Sequence, residues 1–85
     1  MSLAITFGRV LRRLRKQADL TQEELGFQAD LERNYISLLE RGQRQPTLTT
    51  LIRLAGPLRC SAAHLVALVE ASADTTELSK SSPSI

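Results

Sequence analysis

The chain has no tryptophan, one cysteine and one histidine, and among its 85 residues only three are proline and four glycine. A single cysteine, Cys60, excludes an intrachain disulfide, and with His64 the only histidine there is no Cys/His set spaced to hold a metal. No nucleophile–base pair is evident, so the expectation is no catalysis, no metal and no cofactor. Cys60 reads as a small core hydrophobe and His64 as a surface or interface side chain. Long apolar runs are missing too. The longest, Leu65 to Val69, is far short of the roughly 20 residues that cross a bilayer. The opening Met-Ser-Leu carries no basic segment ahead of an apolar one. A soluble, cytoplasmic protein is expected, with no membrane partner and no small-molecule ligand.

What is present is 42% hydrophobic and 24% charged, proportions that argue against wholesale disorder. Eighty-five residues build one core. Folding at this size buries only about 60% of the unfolded surface, which leaves a marginal monomer that gains from a partner subunit. The net charge of +2 decides little, but its distribution is informative. Residues 1–71 hold ten of the 11 basic and seven of the nine acidic residues, and five of the bases crowd between Arg9 and Lys16. Such a cluster on a helix is either a polyanion footprint or a solvated face. Composition leaves both open.

Apolar residues recur at helical spacing. Phe7, Val10, Leu11 and Leu14 form one stripe of a helix over about residues 4–18, with arginines opposite. Thr21 and Glu24 have the spacing of a capping box, which predicts helix 2 from about Gln22 to Ala29 with Leu25 and Ala29 inward. After a break at Asp30 to Arg33, Tyr35, Ile36 and Leu39 give the buried side of a short third helix that ends near Arg41, with Gly42 as its left-handed stop. Thr47 caps a fourth helix carrying Leu48, Leu51, Ile52 and Ala55, which Gly56-Pro57 ends or kinks. Ser61 caps a fifth through about Ala71. The serine-rich stretch 72–85 has too little apolar surface to order itself, so the expected organisation is a domain over 1–71 and a flexible tail over 72–85.

Five helices and no strand signal make an all-α compact domain. Its informative feature is the join between helices 2 and 3, two helices of about eight residues across a three- to four-residue turn. The third helix is apolar on one side only, and its other side shows Arg33, Asn34, Ser37 and Leu38. Arginine and asparagine pair bidentately with guanine and adenine, and an exposed leucine packs on a thymine methyl. A helical hairpin with a mixed polar face would show the same pattern.

The run Leu14-Arg15, Leu20 to Leu25, Tyr35-Ile36-Ser37, Leu39 to Gly42, Pro46-Thr47-Leu48 and Leu51 resembles the lambda-repressor-like (Cro/cI-type, XRE) helix-turn-helix family over residues 7–65. The stretch Leu31 to Ser37 is also similar to the controller proteins of restriction–modification systems. The resemblance implies a five-helix domain with its helix-turn-helix at helices 2 and 3. It implies sequence-specific binding of double-stranded DNA, as a homodimer on a palindromic operator, to regulate transcription. Arg33, Asn34, Ser37 and Leu38 match its base-reading positions. Gln22, Tyr35, Arg41, Gln43, Arg44 and Arg15 fall where the DNA backbone runs, and Arg15 and Glu40 match an ion pair between helices 1 and 3. The chain departs from the pattern at Asp30 and Arg59, where glycine is usual, and at Glu32, where a better helix cap is usual.

Helix 5 is apolar on nearly every side, and a small monomer covers only one of them. This predicts a twofold interface including Val66 and Val69, on the flank opposite Leu65. Two alternatives keep the same domain: an antitoxin or protein-docking subunit, and an interaction module that has lost DNA binding. The second is disfavoured by the exposed polar set Arg33, Asn34 and Gln22.

Overall fold

Five helices follow one another in a computed structural model that describes residues 2–72: α1 (Leu3–Gln17), α2 (Gln22–Ala29), α3 (Arg33–Glu40), α4 (Leu48–Ala55) and α5 (Ala62–Ser72). The expected tail lies outside the described residues apart from Ser72, which is the last residue of α5. No helix among the described residues is long and apolar enough to cross a membrane.

Local chemistry starts each helix. Ser2, Thr21, Thr47 and Ser61 accept hydrogen bonds from the backbone N–H three residues on. At α2 the capping box is complete, because Glu24 also accepts from the Thr21 N–H at 2.9 Å. α3 is the exception. Glu32 makes no side-chain cap, and the helix begins at Arg33, one residue earlier than expected.

A common closure ends the first four helical segments. Leu20, Leu31, Gln43 and Cys60 each donate to the carbonyl five residues back, around a left-handed Asp19, Asp30, Gly42 and Arg59 respectively. This is the Schellman arrangement, which supplies partners for carbonyls the helix leaves unpaired.

The core takes Phe7, Val10 and Leu11 from α1, Leu25 and Ala29 from α2, and Ile36 and Leu39 from α3. Leu54, Ala55, Leu58, Leu65 and Val69 complete it. α3 packs on both α1 and α2, and α5 on α1 and α4. Gly8 permits the first of these contacts. A Cβ there would lie 2.5 Å from the Leu39 carbonyl oxygen, so α1 rests directly on the backbone at the end of α3.

Two expectations change. α4 turns Thr50, Leu54 and Ala55 inward and leaves Leu51 half-buried, while Leu48 is 72% and Ile52 59% exposed. Thr50 is tolerated inside because its hydroxyl is hydrogen-bonded to those of Tyr35 (3.3 Å) and Thr47 (3.0 Å). Val69 belongs to the domain's own core at 8% exposure and does not face outward. It lies four residues after the fully buried Leu65, so both sit on one side of the helix. Val66, 42% exposed, is on the outer side as expected.

Candidate nucleic-acid interface

α3 has two unlike sides. Ile36 and Leu39 are fully buried; Arg33 and Asn34 are exposed in the first turn, with Ser37 and Leu38 half-buried further along. Gln22 stands beside them at the start of α2. Arg33, Asn34, Ser37 and Gln22 together line a shallow depression of about 180 Å³. The structure thus brings Gln22 to three of the four residues expected to read bases.

Behind this surface lies a buried polar hub at Glu40. Its Oε2 accepts from Arg15 Nε at 2.6 Å, and its Oε1 accepts from Arg15 Nη2 at 3.0 Å and from Gln22 Nε2 at 3.1 Å. Arg15 Nη1 donates to the Leu20 carbonyl at 2.8 Å. The Arg15 and Glu40 side chains are only 11% and 4% exposed. The Arg15–Glu40 pair therefore ties α1, the α1–α2 turn, the start of α2 and the end of α3 together. The expected ion pair is present. Arg15 is mostly buried, and three of its five guanidinium N–H groups go to Glu40 and Leu20, while its side chain still lines the cleft beside α3.

Tyr35 also bonds within the domain. Its hydroxyl meets Thr50 at the start of α4, and the ring is half-buried against the core, so its polar end braces α3 on α4. Arg41 is exposed, and its Nε donates to the Ser37 carbonyl at 3.4 Å. Gln43 and Arg44 are exposed in the loop between α3 and α4.

A larger cleft of about 850 Å³ opens between α1 and this surface, lined on one side by Arg33, Ser37 and Arg41. Its other wall includes Arg12 and Lys16 of α1. The basic run in the sequence contains both, but only the packing of α1 on α3 shows which of its members share the α3 side.

Away from this surface, Cys60 is half-buried at the edge of the core, and burial raises its thiol pKa. His64 is exposed on α5. No group of three or more His, Cys, Asp or Glu residues suited to a metal ion occurs among the described residues.

Comparison with known proteins adds an independent line. Residues 11–65 match the helix-turn-helix family. An uncharacterised HTH-type transcriptional regulator, y4dJ, of Sinorhizobium fredii is 41% identical over 66 residues, covering 78% of this chain and 86% of the relative. The crystal structure of the restriction–modification controller protein C.AhdI from Aeromonas hydrophila superposes with a TM-score of 0.70 at 39% identity, covering 73% of this chain and 94% of that one. The controller protein C.Esp1396I, solved as a tetramer in complex with its natural 35-base-pair operator, gives 0.75 at 26% identity over 85% of this chain and 95% of that one. With α2 and α3 set across a three-residue turn, and with these matches along most of its length, the chain belongs to the helix-turn-helix family of DNA-binding transcriptional regulators.

Proposed function

We propose that the protein regulates transcription in the cytoplasm as a homodimer on a palindromic operator, with α3 in the major groove and no catalytic step of its own. The observation that carries this reading is the division of α3: Ile36 and Leu39 hold it in the core while Arg33, Asn34, Ser37 and Leu38 occupy its outer side. Arg33 suits a guanine edge, Asn34 an adenine edge and Leu38 a thymine methyl, with Ser37 between them. Gln22 gives one amide N–H to Glu40. Its second N–H is then oriented for a phosphate, because the hub fixes the amide plane. Arg41, Gln43 and Arg44 follow along the backbone. The controller protein solved with its operator as a tetramer supports both a duplex partner and more than one copy per site.

Gel-shift titration on a selected operator and a scrambled duplex tests the assignment. Arg33→Ala is expected to cost about 1–3 kcal/mol on the operator and relax the preference there. Arg44→Ala should weaken both duplexes alike. Equal losses on the two duplexes for Arg33→Ala would remove base reading from α3.

A further inference from the structure

We propose that Arg12 and Lys16 form a second phosphate-binding wall, gripping the backbone of the duplex whose major groove receives α3. The proposal rests on α3 being the reading helix and extends the interface onto α1, which the base-reading assignment leaves out. Arg12 and Lys16 are four residues apart, so they project from one face of α1 with Cβ atoms about 6 Å apart. That face is one wall of the large cleft, and the opposite wall is the outer side of α3. A strand lying in the cleft would therefore pass between α1 and the helix that reads its bases.

Charge in the cleft favours a polyanion. Arg15 and Glu40 also line it but are paired to one another. Arg12, Lys16, Arg33 and Arg41 then face only two carboxylates, Asp19 and Glu23. All four cations are exposed. Exposed cations hold a small anion poorly, since water competes for every bond. They do bind a polyelectrolyte, whose condensed counterions are released on contact, and duplex DNA brings one charge for each 3.4 Å or so of each strand. Gly8 fixes the arrangement by letting α1 rest on the end of α3.

The test uses the full chain, an operator duplex and a scrambled duplex of equal length, titrated over a series of potassium chloride concentrations. The variant is R12Q/K16Q, and the control is R13Q, which removes an exposed charge from α1 outside the cleft lining. All three substitutions are at exposed positions, and an unchanged melting temperature verifies the fold. Plots of log K against log salt should be shallower by about 0.9 for each phosphate no longer neutralised, so about 1.8 per protomer for R12Q/K16Q. Affinity for the two duplexes should fall by the same factor, with R13Q close to wild type. An unchanged slope in R12Q/K16Q overturns the proposal, as does an equal change in R13Q or a loss confined to the operator. Wild-type protein that fails to prefer the operator ends the reading of α3 itself. Wild-type specificity with an unchanged slope in R12Q/K16Q ends only the role of α1.

Discussion

Glu40 accepts three hydrogen bonds, two from Arg15 and one from Gln22, in a pocket that leaves its side chain 4% exposed. Withdrawing both charges from water offsets most of the Coulombic gain, so the pair adds less stability than its geometry implies. Removing one partner is another matter, because the other charge stays buried and uncompensated. Glu40→Ala is expected to destabilise the domain by about 3–5 kcal/mol, a large share of the roughly 5–15 kcal/mol that holds a domain together. Urea unfolding should show a lower midpoint with the slope unchanged. A midpoint equal to wild type would mean that Arg15 finds water when Glu40 is gone. The hub also explains why Gln22 is half-buried while still standing at the edge of the proposed reading surface.

At the scale of the helix, three of the four left-handed closures use a residue with a side chain: Asp19, Asp30 and Arg59. Aspartate tolerates this conformation through local hydrogen bonding, but arginine has no such compensation. Arg59→Gly should relieve a strain of about 1–2 kcal/mol and lose about half of that to the greater freedom of glycine in the unfolded chain. A net gain of about 0.5–1 kcal/mol should raise the melting temperature by several degrees in calorimetry, and a fall would show that the Arg59 side chain has a packing role. These closures also mark where the sequence is legible. α2 can be bounded to the residue because Thr21 and Glu24 form a local device. The start of α3 falls one residue from its expected place because Glu32 caps nothing and the Leu31-to-Gly26 closure is invisible without glycine. On α4, Leu48, Leu51, Ile52 and Ala55 have faultless helical spacing, yet the core takes Thr50, Leu54 and Ala55. Apolar residues span more than half of that helix, so periodicity cannot say which half is covered. Val69 is within reach of simple arithmetic, being one turn beyond Leu65. The outer side of α3 can be read from alternation alone, whereas Arg12 and Lys16 cannot, since their place depends on how closely α1 approaches α3.

For the whole molecule, the unfinished business is apolar surface. Leu48 and Ile52 on α4 and Val66 on α5 are exposed, and Val66 borders a shallow apolar groove of about 180 Å³ shared with Leu3, Leu51 and Pro46. A second copy of the chain is the proposed cover, with α4 joining α5 in the interface. Sedimentation across a concentration series should show a dimer for wild type. Ile52→Glu and Val66→Glu should each favour monomers by placing a charge on the buried side of the contact. Two reading helices must reach one face of DNA roughly 34 Å apart. Either variant should therefore bind the operator more weakly although no DNA-facing residue has changed. A wild-type protein that stays monomeric at tens of micromolar and binds a single half-site with full affinity would refute the interface and the twofold operator together.

The split character of α3 bears on how such proteins diversify. Ile36, Leu39 and Glu40 are committed to the interior, while Arg33 and Asn34 stand in solvent, where exchanges typically alter stability by no more than about 0.5 kcal/mol. With Arg33 and Asn34 as the proposed base readers, a lineage on this scaffold can rewrite its address one residue at a time without passing through an unfolded ancestor. Duplicated copies can drift to separate operators and share a cell without answering to each other's sites.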